Sequence, residues 1–232
     1  MTDYIYDIET FPNVFSIGLL NSITEQYMVF ECSWRRNELF ELVSFLDAMR
    51  ENNDRMVGYN NIFFDYPVLH HIIENRSTAT PGSIYKKAME IITSPWERRF
   101  DHVVWDSDTY VTQMDLYKIH HFDNFARSTS LKTLEFNMRR DNVSDLPYEP
   151  GSPLNWEQTD TLISYMWDDI DATFDFYKES KAQIAFRDEL SEKYNHNFLN
   201  HNDTKIGKDY FIMKMKETIP GFDKKRQTKR EQ

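Results

Sequence analysis

The sequence predicts an α/β fold built on a mixed sheet that is flanked by helices. The chain opens with three strand-like segments in a row, and strand-like and helical segments then follow one another. Hydrophobic residues make up 40% and aromatic residues 15% of the 232 positions, which is enough for a sizeable buried core. Only six glycines occur, and this favours long regular elements with few tight turns.

The first half of the chain supplies most of the predicted sheet. Residues 3–9 alternate apolar and polar side chains, a pattern that is typical of a strand with one buried face. Residues 11–13 are predicted to turn, so that the next strands continue the first one as an antiparallel meander. Further strands are predicted over 14–20, 26–30, 55–59 and 113–119.

Helical periodicity predicts the elements that flank the sheet. Residues 34–51 and 65–74 both carry apolar side chains at helical spacing. Prolines and a glycine make residues 141–155 a predicted loop, and much of 76–112 fits no regular pattern. Further helices are predicted over 84–92, 130–138, 156–181 and 203–217, the last with Asp203 as its N-cap.

The cysteine and histidine content argues against a zinc site. Cys32 is the single cysteine, which excludes both a disulfide within the chain and a zinc cluster of cysteines. The histidine pairs at 70–71 and 120–121 have no third ligand at a usable spacing. A single thiol also fits a reducing, intracellular setting.

The N-terminus and the hydropathy pattern predict a cytoplasmic protein. Asp3, Asp7 and Glu9 interrupt the N-terminal residues, so no signal peptide is expected. No segment approaches the apolar length that a membrane span needs, and no membrane partner is expected. If the source is viral, the expected location is the cytoplasm of the host cell.

The net charge of −11 argues against a broad basic surface that grips nucleic acid. It is compatible with a nuclease, because a carboxylate site first binds metal cations and the cations then meet the phosphate. Any contact with DNA is therefore expected in a narrow cleft.

Acidic residues stand at the ends of two predicted elements. Asp7 and Glu9 lie two positions apart on the first strand, so both carboxylates face the same side and can share a divalent cation. Acid pairs of this spacing are also common on solvated strand faces. Asp65 follows a polar turn and begins a helix, where it can cap the helix as well as bind a ligand.

A third acid lies on the long helix predicted after residue 155. Tyr165 and Asp169 are four residues apart, so they stand on one face of that helix, one turn from each other. An acid beside a phenol on an inward face would be unusual. The alternative is an acidic, solvated face, because three more carboxylates lie nearby, at Asp168, Asp171 and Asp175.

Taken in order, these segments read Asp-x-Glu, Asn-x3-Asp and Tyr-x3-Asp. They resemble the three exonuclease motifs of the DEDD superfamily in its tyrosine variant, which includes the proofreading domains of family A and family B DNA polymerases. The histidine variant requires a histidine five residues before the last aspartate, where this chain has Ser164. The run YDIET is close to the first motif of phage polymerases, and the resemblance extends over residues 3–180. It implies an RNase H-like exonuclease fold.

The resemblance also implies a centre with two divalent cations, Mg²⁺ or Mn²⁺. Asp7 would bridge the two cations, and Glu9 and Asp169 would complete the tighter one. Asp65 would hold the second cation through its waters, because magnesium dehydrates reluctantly. Tyr165 would position the attacking water and not abstract its proton, since a phenol ordinarily titrates near about pH 10.

Four further residues receive roles from the same resemblance. Thr10 and Asn61 would contact the terminal nucleotides, and Phe64 would stack on a base. The segment SLKTLEF at 130–136 is similar to a lysine-bearing segment of these polymerases, which would place Lys132 near the scissile phosphate. The alternative for Lys132 is an ordinary surface lysine.

Residues 1–200 are interpreted as the exonuclease domain and 201–232 as a C-terminal helix with a basic linker. The runs NDTKIGKDYF and RQTKR are similar to the region where phage polymerases approach their polymerase half. The implied partners are the 3′ end of single-stranded DNA and a DNA polymerase domain, in cis or in trans. Two alternatives stay open: a free-standing exonuclease for DNA or RNA turnover, and a catalytically inactive nucleic-acid-binding module of the same fold.

Overall fold

The computed structural model describes residues 1–124, 126, 128–141, 143 and 145–222. These residues contain a five-stranded sheet with the order β3-β2-β1-β4-β5. The strands are β1 Asp3–Phe11, β2 Val14–Asn21, β3 Tyr27–Ser33, β4 Arg55–Gly58 and β5 Thr112–Asp115. The first three form an antiparallel meander, whereas β4 and β5 run parallel to β1. The predicted α/β architecture with a mixed sheet is confirmed.

Helices flank the sheet, and polar caps fix where several of them begin. They are α1 Leu39–Glu51, α2 Asp65–Glu74, α3 Pro81–Ile92, α4 Leu116–Ile119, α5 Leu131–Asn137, α6 Trp156–Glu179, α7 Lys181–Tyr194 and α8 Asp203–Thr218, with a 3-10 helix over Trp96–His102. Thr80 and Asn155 form capping boxes at the starts of α3 and α6, and Ser130 caps α5. Each cap satisfies backbone N–H groups that the first helical turn leaves without a partner.

Side chains of β1 alternate between two apolar clusters on opposite faces of the sheet. Tyr6 and Ile8 belong to the cluster that α1, α2 and α3 cover, whereas Ile5 packs in the cluster that includes α6. Because successive strand residues point to opposite faces, Asp7 and Glu9 share the face of Ile5. Both carboxylates are therefore directed toward α6.

Two predicted features near helix starts are wrong in detail. The strand predicted over 113–119 ends at Asp115, because the Asp115 side chain accepts a hydrogen bond from the backbone N–H of Tyr117 and caps α4. The cap of α8 is Asn202, and the predicted cap, Asp203, is the first residue of the helix itself. In both places a short polar side chain accepts a hydrogen bond from a backbone N–H of the first helical turn, and its position fixes where the helix begins.

The helix predicted over 156–181 ends at Glu179, and Ser180 separates it from α7. Ser180 Oγ donates a 2.7 Å hydrogen bond back to a carbonyl oxygen of the last turn of α6. Helix α7 was not predicted, because it buries only Ile184 and Arg187 and so lacks an apolar stripe. Arg187 binds the carboxylate of Asp203 at 2.9 Å, which ties α7 to the start of α8.

The start of α1 differs from the prediction, whereas the predicted C-terminal linker is not described by the structure. The helix predicted over 34–51 begins at Leu39, because the preceding residues extend the sheet edge through a bridge between Cys32 and Asn37. The predicted basic linker lies at 223–232, outside the described residues, and the domain boundary at residue 200 stays a prediction. Among the helices described here, none combines the length and apolarity needed to cross a membrane.

Candidate active site

A glycine on β2 brings α6 close to the carboxylates of β1. Asp7 lies opposite Gly18 in the β1–β2 pair. A methyl group at Gly18 would lie 2.5 Å from Ile170 Cδ1 and 2.7 Å from the ring of Trp167, which is closer than van der Waals contact allows. The missing side chain therefore lets α6 approach the sheet, and Asp169 on α6 comes to lie beside the β1 acids.

Three carboxylates meet where β1 faces α6. Asp7, Glu9 and Asp169 each have a carboxylate oxygen, and these oxygens all lie within 4.8 Å of one another. Three half-buried negative charges at this spacing repel one another unless a cation compensates them. Carboxylate oxygens are also the ligands that Mg²⁺ takes from proteins, so this donor set fits a divalent cation.

Burial and mutual repulsion raise the pKa of these acids. For Asp7 and Glu9 desolvation is the largest cause, and the neighbouring carboxylates raise both pKa values further above their ordinary range. Desolvation also raises the pKa of Asp169 to about 6, although a hydrogen bond from Tyr165 opposes the rise. The cluster thus resists full ionisation as long as no counter-charge is present.

Asp65 approaches the cluster from the first residue of α2 and lies outside the group of three. Asp65 is buried, and desolvation raises its pKa to about 7, while the backbone amides of Asp65 itself and Ile8 oppose the rise. After desolvation, the charge of Asp65 is the largest cause of the raised pKa of Asp7. Phe64 is the N-cap residue and makes no side-chain cap bond, so Asp65 is not the helix cap considered from the sequence.

Tyr165 and Asp169 share one face of α6, as their spacing predicts. The hydroxyl of Tyr165 donates a hydrogen bond to the carboxylate of Asp169. Desolvation, followed by the charge of Asp169 and this bond, raises the pKa of the phenol far above its ordinary value. Tyr165 is therefore protonated at neutral pH and cannot act as a base there.

Helix α5 adds two charged residues near Asp169. Lys132 forms an ion pair with Asp145, and it lies close enough to Asp169 to lower the pKa of that carboxyl. Glu135 stands one turn further along α5 and is only 2% exposed, and its Oε2 has no hydrogen-bond partner among the described residues. Burial, followed by the charge of Asp169, raises the pKa of Glu135. The sequence prediction missed Glu135, because its place beside Asp169 depends on a tertiary contact.

The three predicted substrate contacts lie in different surroundings. Thr10 is half-buried near the end of β1, and Phe64 is half-buried against the apolar cluster under α1 and α2. Asn61 is completely buried, and its Nδ2 donates to the hydroxyl of Tyr6 and to Oε1 of Gln113. Its Oδ1 has no hydrogen-bond partner among the described residues. The substrate contacts of Thr10, Asn61 and Phe64 all stay predictions.

Asp115 organises the loop that precedes Asp65. It is completely buried, and its carboxylate accepts hydrogen bonds from the backbone N–H of Asn60 at 2.8 Å and of Ile62 at 3.4 Å. Asn60 has a positive φ of 63°, a left-handed conformation that these bonds help to hold. Asp115 was missed as a site residue because it fell inside the strand predicted over 113–119.

A second group of possible metal ligands lies between α7 and α8. His196, His201 and Asp209 offer ligand atoms within 4.8 Å of one another. The ammonium of Lys205 lies 3.1 Å from Oδ2 of Asp209 and also contacts Nε2 of His201. A cationic side chain already balances the carboxylate of this group, unlike the cluster at Asp7.

Comparisons with known proteins give a weak structural likeness and no match in sequence. No protein-family model and no curated protein matches the chain. Among solved structures, the chain is similar to the family B DNA polymerase from the hyperthermophilic archaeon Pyrobaculum calidifontis, with 18% identity and a TM-score of 0.47. The match covers 78% of this chain and 24% of that polymerase, so the chain spans about a quarter of its length.

Proposed function

We propose that this chain is a metal-dependent 3′→5′ exonuclease with an RNase H-like fold, of the DEDD superfamily in its tyrosine variant. The observation that carries the proposal is that Asp169 lies within 4.8 Å of Asp7 and Glu9, although it is far from both in the sequence. Asp65 acts electrostatically on Asp7, and Tyr165 is hydrogen-bonded to Asp169. These five residues are the acids and the tyrosine of the three motifs.

The four acids would hold two divalent cations, Mg²⁺ or Mn²⁺. When bound, the cations supply charge neutralisation at the scissile phosphate and a more acidic water. Asp7 would contact both cations, with Glu9 and Asp169 completing one of them. Asp65 would hold the other, in keeping with its place at the side of the group of three. The raised pKa values are those of carboxylates that lack a counter-charge.

The residues around the acids orient the reactants. Tyr165 keeps its proton, so its hydroxyl positions the attacking water by hydrogen bonding and does not accept a proton from it. Lys132 brings a positive charge to the side of Asp169 where α5 lies, and it would stabilise the negative charge on the phosphate. Its partner Asp145 is exposed, so the ion pair can open at little cost.

We propose the 3′ end of single-stranded DNA as the substrate, and proofreading for a phage replicative DNA polymerase as the biological role. The order of the three motifs and the YDIET run support this assignment. The polymerase domain would act in cis or in trans, in the cytoplasm. A negative net charge of −11 is compatible with a narrow substrate cleft at a metal-bearing site.

The test is the digestion of a 5′-labelled single strand of DNA with and without Mg²⁺. The parental chain should shorten the strand from its 3′ end only when the metal is present. Asp7→Ala should reduce the rate by about a thousandfold or more, because metal ligands act as a unit. Asp168→Asn is the matched control: it neutralises an acid next to Asp169 that lies outside the group of three, and it should cleave at nearly the parental rate.

Three outcomes would contradict the proposal. A folded parental chain that binds the strand but releases no nucleotide with Mg²⁺ or Mn²⁺ would be an inactive binding module. Cleavage of a matched RNA strand at the same rate as DNA would favour a turnover enzyme over a proofreading domain. Cleavage by Asp7→Ala at the parental rate would show that the acids are not the catalytic centre.

A further inference from the structure

Two neighbouring cavities open along residues 96–107, and together they form a groove lined by aromatic rings. One measures about 300 Å³ and the other about 550 Å³. Both are lined by Phe63, Phe100 and Asp123, so they lie next to each other. We call this feature the aromatic groove.

Exposed rings form the walls of the aromatic groove. The ring centroids of Phe63 and Phe100 lie 5.8 Å apart, and Phe100 stacks on Trp105 at 6.4 Å with an interplanar angle of 15°. Trp105 is 59% exposed, Trp96 51% and Phe100 45%, although aromatic rings ordinarily contribute to the core. A row of accessible rings is the arrangement on which successive nucleobases stack.

The charge inside the groove differs from that of the whole chain. Its lining residues include three cations, Arg99, Lys118 and Lys205, against the two acids Asp106 and Asp123. Lys205 also pairs with Asp209, so the charges at the groove nearly cancel, in a chain with a net charge of −11. The groove is thus one of the places where a polyanion meets less repulsion.

Arg99 and Lys118 are held against the rings of the groove. The guanidinium of Arg99 lies 4.0 Å from the ring centroid of Trp96 and 4.3 Å from that of Phe100, and it has no carboxylate partner among the described residues. The ammonium of Lys118 lies 4.7 Å from the ring centroid of Phe63 and pairs with Asp123 at 2.9 Å. Cations beside stacking surfaces match a ligand that alternates flat bases with phosphates.

The groove lies at the same edge of the sheet as the proposed catalytic acids. Phe63 belongs to the loop that follows β4, two residues before Asp65, and Lys118 lies on α4, directly after β5. Since β1, β4 and β5 are parallel, their carboxyl ends share one edge, where Glu9 also lies. Ligands of open α/β sheets commonly bind outside this edge.

We propose that the aromatic groove binds the single strand upstream of the scissile bond, with bases stacked on Phe100 and Trp105 and phosphates near Arg99. The nature of the ligand rests on the proposed function, whereas the groove itself rests on the rings and charges described above. The groove would set how tightly a longer strand is held, and the acids would set how fast its last bond is cut.

The first experiment measures binding without cleavage. Fluorescence anisotropy of a labelled deoxythymidine hexanucleotide in EDTA should give a dissociation constant that rises about tenfold or more in Trp105→Ala. Trp34→Ala is the matched control, because Trp34 is also exposed, at 63%, and does not line the groove. Trp34→Ala should bind like the parental chain. The double variant Phe100→Ala/Trp105→Ala should bind more weakly still.

The second experiment separates substrate binding from cleavage. With Mg²⁺, Trp105→Ala should cleave a dinucleotide at the parental kcat/KM and a hexanucleotide with a KM raised about tenfold. Parental binding of the hexanucleotide by the double variant would overturn the groove proposal. If the parental chain binds the hexanucleotide through these rings and cleaves neither substrate, the proposed exonuclease activity fails and the groove stands.

Discussion

The hydrogen bond between Tyr165 and Asp169 shifts the pKa values of the two residues in opposite directions. It lowers the pKa of Asp169, because the hydroxyl stabilises the carboxylate. It raises the pKa of Tyr165, because a phenolate would face a negative charge. Each residue is thereby kept in the form that the proposed chemistry needs, an ionised ligand beside a neutral donor.

Tyr165→Phe should therefore change both the rate and its pH dependence. We expect kcat to fall roughly a hundredfold, because the attacking water loses its orienting hydroxyl. The pKa of Asp169 should rise, since one of its stabilising hydrogen bonds is gone, and the acidic limb of the pH–rate profile should move to higher pH. Profiles of both proteins at saturating Mg²⁺ measure this, and an unmoved midpoint would contradict the role given to the bond.

At the scale of elements, the distance between α6 and the sheet depends on Gly18. Gly18→Ala would push a methyl group against Ile170, Met166 and Trp167, all on α6. We expect a loss of about 1–3 kcal/mol in the free energy of unfolding, and a lower kcat because Asp169 moves away from the β1 acids. Urea denaturation and single-strand digestion measure the two effects.

The control for Gly18→Ala is a second glycine in open surroundings. Gly207 lies in α8, and a methyl group there would meet no atom within 4 Å. Gly207→Ala should leave activity unchanged and stabilise the helix by about 0.5–1 kcal/mol. If the two variants had the same free energy of unfolding and the same cleavage rate, the position of α6 would not depend on the missing side chain at Gly18.

Local patterns predicted those elements whose residues carry their own signal. Alternation over 3–9 and helical spacing over 65–74 are visible in single segments, so β1 and α2 were predicted. The same local geometry predicted that Tyr165 and Asp169 share a face. Helix α7 was missed because its contacts are mainly polar, and the strand over 113–119 was too long because a cap ends it.

The roles of residues that act through tertiary contacts could not be predicted from the sequence. Asp115 holds a loop that lies more than fifty positions earlier, and Glu135 matters through its place beside Asp169. The amide nitrogen of Asn61 donates to Tyr6 and Gln113, two residues on different strands of the sheet. Neither periodicity nor spacing contains that information, because each reports on one segment at a time.

For the molecule as a whole, the buried acids make stability depend on pH. Folding raises the pKa of Asp65 from 3.8 to about 7 and that of Asp169 from 3.8 to about 6. The folded state therefore binds these protons more tightly than the unfolded chain does. The resulting stabilisation is complete below about pH 4 and is lost as the pH rises through about 6 and 7.

Asp65→Asn isolates this effect in the metal-free protein. In EDTA the variant should melt at a higher temperature than the parental chain near about pH 8, where Asp65 is ionised, and at a similar temperature near about pH 5. Added Mg²⁺ should raise the melting temperature of the parental chain more at the higher pH than at the lower pH. At either pH it should raise the melting temperature of the variant less than that of the parental chain. Calorimetry at both pH values measures this, and a variant that melts lower in EDTA near about pH 8 would contradict it.

The connection between β4 and β5 leaves one strand and returns at its immediate neighbour. Asp65 stands near its beginning, while the rings of Phe100 and Trp105 project from its later part. The helices α2 and α3 of this connection pack against the sheet, whereas Trp96, Phe100 and Trp105 in its later part are exposed. Under the proposed function, exchange of these exposed residues would change which polymers the protein prefers and would leave the four acids in place.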